Sequence, residues 1–105
     1  RIKEMIIRSG FNVYPGEVEA VFLVWPGVQR AAVAGRKTAD GNEDILAFIE
    51  PKPGAQIDLE ALKAHAHEHL SPYKRPSVVA LVAEMPMTLS GKVLKRELVD
   101  KYAQL

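Results

Sequence analysis

The chain has 105 residues, of which 48% are hydrophobic and 26% charged, enough to build one compact core and too few for two. With 14 lysines and arginines against 13 acidic residues the formal charge is +1, which argues against a protein whose main task is to hold a nucleic-acid backbone, so any anion site has to be local. The absence of cysteine excludes disulfides and thiolate metal ligands, and no apolar run approaches bilayer length.

Met5-Ile6-Ile7 is a short apolar run closed by Ser9-Gly10, and Asn12-Val13-Tyr14 resumes it, which predicts a small hairpin turning at Gly10. Pro15 opens the next element. From Gly16 onward, Val18, Val21, Phe22 and Trp25 follow the spacing of one buried helix face, with Glu17 and Glu19 near the helix N-terminus, until Pro26-Gly27 stops it. Val28 to Ala34 and Ile45 to Ile49 predict two pairing strands, joined by an exposed connection over Lys37 to Asp44. After the turn from Pro51 to Gly54, Asp58 is a suitable N-cap for a helix carrying Leu59, Leu62, Ala66 and Leu70, which ends near Ser71-Pro72. Val78 to Val82 predicts a third strand. Pro86 to Gly91 reads as a loop, and Leu94, Leu98 and Tyr102 recur every four residues to mark a final amphipathic helix. The resulting expectation is a single α+β domain over residues 1–105: a small sheet of about three strands packed with helices and preceded by an N-terminal hairpin. No internal repeat or dividing linker is present.

Lys92 is the first candidate for chemistry. It follows Ser90-Gly91 in a loop that also holds Thr88, so a flexible ammonium sits on backbone that glycine lets approach a phosphate or carboxylate closely. A nucleotide-binding P-loop is rejected, because that motif requires an earlier glycine at fixed spacing and Ser or Thr after the lysine, whereas Val93 follows here. Judged by itself, a loop lysine is more often a solvated surface charge. Tyr73-Lys74-Arg75-Pro76 places two cations beside an aromatic ring, a set that could hold nucleotide-like phosphates but reads more simply as a solvated corner. His65 and His69 share a helix face while His67 points elsewhere; without an HExxH pattern or a placed third ligand, surface histidines are preferred to a metal site.

Taken in order, these pieces resemble the C-terminal domain of the AMP-forming acyl-CoA synthetases of the adenylate-forming superfamily. Arg1-Ile2-Lys3-Glu4-Met5-Ile6-Ile7, then Ser9-Gly10-Phe11-Asn12-Val13-Tyr14-Pro15 with Glu17-Val18-Glu19, is similar to the segment joining the two domains of such enzymes, and its wording is most like long-chain fatty acid CoA ligases. Pro26-Gly27-Val28, Tyr73-Lys74-Arg75-Pro76 and the run from Pro86 to Leu98 through Ser90-Gly91-Lys92 follow in the family order. The chain begins at Arg1 and not at Met, so a piece cut at the domain junction is expected.

The resemblance implies a two-step ligase using ATP and CoA as substrates, with magnesium accompanying ATP but not bound by this domain. It implies Lys92 as the catalytic lysine of adenylation and Lys3 as the hinge about which the small domain turns. After that turn Ser9, Gly10 and Phe11 would line the channel for the pantetheine arm, with Lys74 and Arg75 as candidates for the CoA phosphates. Tyr14, Pro15 and Glu17 would be structural. The implied partners are the protein's own N-terminal adenylation domain and a fatty acid, with no nucleic acid and no transmembrane segment. The expected location is cytoplasmic, any membrane association running through the absent domain. An aryl-CoA ligase, a luciferase-like enzyme, a peptide-synthetase adenylation domain and a non-catalytic CoA- or partner-binding module remain the alternatives, although Lys95-Arg96-Glu97-Leu98 after the lysine is more like the CoA ligases.

Overall fold

The computed structural model describes residues 5–101, so Lys3, Tyr102 and the rest of the two ends lie outside the described residues. The chain runs β1 (Ile6–Arg8), β2 (Phe11–Val13), α1 (Pro15–Leu23), β3 (Val28–Lys37), β4 (Glu43–Pro51), α2 (Leu59–His69), β5 (Val78–Leu81) and α3 (Lys95–Lys101). β1 and β2 form the expected hairpin, and β3, β4 and β5 form a three-stranded sheet in that order. β3 pairs antiparallel with β4, and β5 lies parallel to β4 on its other side.

Side-chain alternation along the sheet explains how three helices are held. In β4, Ile45, Ala47 and Ile49 face one core while Leu46 and Phe48 face another. β3 repeats the pattern with Val33 on the first side and Ala32 on the second, and β5 with Val79 and then Val78 and Ala80. A strand with apolar residues at every position is buried on both faces. The first core is closed by Val18 and Phe22 of α1, Leu62 and Ala66 of α2, and Ile6 and Val13 of the hairpin. The second is closed by Leu98 of α3 and by Val82 and Met85 of the segment before it.

Local chemistry sets the element ends. Ser9 and Gly10 adopt φ of 52° and 81°, and with Arg8 opposite Phe11 they make the two-residue turn whose twist suits a hairpin. Pro15 stands at the start of α1, where a missing N–H costs nothing. The Asp58 side chain accepts from the Ala61 N–H at 3.2 Å and starts α2. Trp25 lies just past the end of α1, yet still packs on the first core.

The connection between β3 and β4 is shorter than the expected exposed stretch from Lys37 to Asp44. The ladder continues through Arg36 opposite Asp44 and Lys37 opposite Glu43, leaving only residues 38–42 as turn. Opposite charges across the strands favour that extension, and Arg36 and Asp44 form an ion pair at 3.6 Å.

Because Phe22 is fully buried and Asp58 is an exposed cap, their substitutions separate core from cap. Phe22→Ala is expected to lower the unfolding free energy by about 3–5 kcal/mol and Asp58→Ala by about 1 kcal/mol, read from denaturant titrations.

Candidate functional site

Lys92 sits at the end of a loop that is folded tightly on itself. The Thr88 N–H donates to the Lys92 carbonyl at 2.8 Å, and the Lys92 N–H donates to the Thr88 hydroxyl oxygen at 3.0 Å. Thr88 Oγ1 also shares a hydrogen bond with Ser90 Oγ at 2.9 Å, and the Gly91 N–H closes on the Thr88 carbonyl at 3.0 Å. Gly91 has φ of 89°, a conformation that a side chain would strain. Below this tip, Met87 bridges Val93 and the Leu94 N–H donates to the Pro86 carbonyl at 2.8 Å. The loop therefore has a fixed backbone, while the exposed Lys92 ammonium makes no ion pair or hydrogen bond among the described residues. An open cleft beside Lys92 is lined by Glu19, Ala31, Ala32, Val93 and Lys95. Leu89, at the outer turn of the same loop, is wholly exposed.

A second cluster forms around the hairpin. Phe11 stacks on Tyr73 with ring centroids 4.4 Å apart and planes at 25°. Arg8 donates to the carbonyl of Arg75, the residue that follows the 3-10 turn Pro72–Lys74, so the hairpin is tied to the turn and to its C-cap. Lys74 lies 5.6 Å from the Tyr73 ring centroid and 3.5 Å from the Glu17 carboxylate. Arg75 Nε donates to the His67 and Leu70 carbonyls at 3.0 and 3.1 Å, capping the C-terminal end of α2.

The hairpin tip is also fastened to the turn between β3 and β4. Ser9 N–H donates to Asn42 Oδ1 at 2.8 Å and Ile7 N–H to Glu43 Oε1 at 3.2 Å. Asn42 is itself oriented by Asp40, whose carboxylate accepts from the Asn42 N–H at 3.1 Å and from the Thr38 hydroxyl. The Thr38 hydrogen bond, with that of Asn42, holds the Asp40 carboxyl below its ordinary pKa.

His65 and His69 do face each other, with ring centroids 4.5 Å apart, but His65 Nε2 donates to the Val21 carbonyl at 3.0 Å and its ring packs beside Trp25. Among the described residues no group of three or more His, Cys, Asp or Glu side chains could hold a metal ion. No helix among them is long and apolar enough to cross a membrane.

This architecture and this loop coincide with a known domain: the family model for the AMP-binding enzyme C-terminal domain matches residues 17–92. The chain belongs to that family. It is 39% identical over 104 residues to the long-chain-fatty-acid–CoA ligase of Bacillus subtilis (strain 168), covering 99% of this chain and 19% of that one. It is 42% identical over 98 residues to the 2-succinylbenzoate–CoA ligase of Geobacillus kaustophilus, covering 93% and 20%. Among solved structures, that of ATP-bound MatB from Rhodopseudomonas palustris superposes with a TM-score of 0.86 at 34% identity, over 97% of this chain and 20% of that one. The chain thus spans about a fifth of the length of these relatives.

Within this AMP-binding C-terminal domain the structure brings Ser9, Gly10, Phe11, Lys74 and Arg75 into one neighbourhood through the Phe11–Tyr73 and Arg8–Arg75 contacts. It places Lys92 in a cleft that no hairpin residue lines. Lys3 lies outside the described residues. Sequence reading missed Thr88 as the brace of Lys92, Asn42 as the clasp of the hairpin, and Glu19 with Lys95 on the wall beside Lys92. The Thr88–Lys92 spacing could have flagged the first; the others join segments too distant in sequence for any local pattern to show.

The stability contributed by ionised Asp40 is present above its unfolded pKa and lost as pH falls through its depressed folded pKa. Thr38→Val is expected to raise the Asp40 pKa toward the ordinary carboxylate value in an NMR titration of the side chain; an unmoved titration would remove Thr38 as the cause.

Proposed function

We propose that this chain is the C-terminal domain of an ATP-dependent fatty acid CoA ligase. In the first step the fatty acid carboxylate attacks the α-phosphorus of ATP and pyrophosphate leaves, giving the acyl-adenylate. In the second the CoA thiol attacks the acyl carbonyl and AMP leaves, giving the thioester. The observation that carries the reading is the Lys92 ammonium: exposed, without a partner among the described residues, and mounted on a loop whose backbone is braced by Thr88. A cation held in that way can gather two anions, a carboxylate and a phosphate, that repel each other in water.

The hairpin supports the second step. Ser9, Gly10 and Phe11 form an exposed rim, and Gly10 has nothing within 4 Å of where a Cβ would stand, so a thin pantetheine arm could pass against its backbone. The Lys74 ammonium, beside Tyr73 and paired with the Glu17 carboxylate at 3.5 Å, is one candidate for a CoA phosphate. Arg75 is the other, with its Nε committed to the α2 carbonyls. Because Lys92 and the rim occupy separate neighbourhoods, a turn of the domain about Lys3 would present them in sequence to one cleft of the larger domain. The similarity to a fatty-acid ligase favours an aliphatic acid, and the equally close 2-succinylbenzoate relative keeps an aryl acid as the second reading.

In the full-length parent enzyme, Lys92→Ala is expected to lower acyl-adenylate formation roughly 10²–10³-fold while thioester formation from preformed adenylate and CoA is retained. Loss of neither half-reaction would make Lys92 a surface lysine. The 105-residue chain alone is expected to show no ligase turnover, and measurable turnover would overturn the assignment of the acid and ATP pockets to the remainder of the protein.

A further inference from the structure

One oxygen joins three elements beside the Lys92 loop. Glu19 Oε2 accepts from the Val33 N–H at 2.9 Å and lies 2.8 Å from Lys95 Nζ. Glu19 belongs to α1 on the first face of the sheet, Val33 to β3, and Lys95 is the first residue of α3 on the second face. Within the sheet β3 pairs with β4 alone, so its other edge would expose backbone N–H groups; Glu19 satisfies one of them there and reaches across that edge to Lys95. Both side chains are 20% exposed, enough burial for a charge-assisted hydrogen bond to be stronger than a surface pair.

The bonds between Thr88 and Lys92 determine the shape of the loop but not how the loop is aimed relative to the rest of the domain. Its stem is seated by Met87 and Val93 packed on the second core, and apolar packing is non-directional. The Glu19–Lys95 contact is directional, and it grips the chain three residues after Lys92. Both residues line the same cleft as Lys92.

We propose that Glu19 and Lys95 are positioning residues for Lys92, holding the loop at the angle from which its ammonium meets the reacting anions. This rests on the assignment of Lys92 to adenylation. Neither residue needs to touch a substrate; the carboxylate acts through Lys95, and Lys95 acts through the backbone that leads back to Val93 and Lys92.

The test uses the full-length enzyme with Lys95→Met, which leaves the Glu19 to Val33 hydrogen bond intact, together with Glu19→Gln, Lys95→Arg and Lys92→Ala. Lys95→Met and Glu19→Gln are each expected to lower kcat for adenylation roughly 10- to 100-fold with the KM for ATP little changed, because a displaced group loses transition-state contacts first. Thioester formation from preformed adenylate stays at the wild-type rate, the double variant is no worse than the worse single one, and Lys95→Arg restores most of the activity. A parallel fall of both half-reactions would mean a general structural role and overturn the inference. So would intact adenylation in both variants while Lys92→Ala abolishes it. If Lys92→Ala itself leaves adenylation intact, the assignment of Lys92 falls, and the inference with it.

Discussion

The domain depends on β4 being buried on both faces. Ile45 to Ile49 are at most 1% exposed, and their alternate side chains feed two separate cores. A strand in that position must be flanked by other strands to satisfy its backbone, and covered above and below to satisfy its side chains. β3 and β5 provide the first; α1, α2 and the hairpin on one side, and α3 with the segment before it on the other, provide the second. Among the described residues, every functional candidate is attached to something that this strand requires.

That arrangement leads to two separate neighbourhoods of candidate residues. The hairpin rests on the first core through Ile6 and Val13, and is clasped at its tip by Asn42 and Glu43 from the turn into β4. A Cβ at Gly35 of β3 would displace the Glu43 carboxylate that accepts from the Ile7 N–H and would crowd Ile6, so the glycine leaves room for that clasp. The Lys92 loop rests on the second core through Met87 and Val93. In the proposed two-step ligation this separation would allow rotation of a rigid body to move one neighbourhood toward a cleft as it withdraws the other. Rigidity is supplied by the shared sheet, and the Glu19–Lys95 contact across the β3 edge ties the covering layers together where the sheet alone does not.

Much of this was legible from sequence wherever the governing interactions are local. The Ser9-Gly10 turn, the Pro15 start of α1, the Asp58 cap and the Gly91-Lys92 loop are each dictated by the conformational limits of one or two residues. The apolar run in β4 announced a strand paired with β3, although the continuation of β3 and β4 past it depends on the cross-strand pairing of Arg36 with Asp44 and of Lys37 with Glu43. Arg75 illustrates the converse: read locally it is a cation in a basic corner, and folded it is partly spent on the carbonyls at the end of α2.

The sequence by itself determined the α+β class, the order and approximate bounds of the elements, the loop that carries Lys92, and the motifs that mark the family, because turn, cap and periodicity preferences act over a few residues. Tertiary structure alone decided that β5 runs parallel to β4, that the hairpin is clasped by Asn42 and stacked on Tyr73, and that Glu19 meets Lys95. Those contacts join positions 32 to 76 residues apart, and such pairs are chosen by which faces the packed sheet brings together, a choice no local stretch of sequence records.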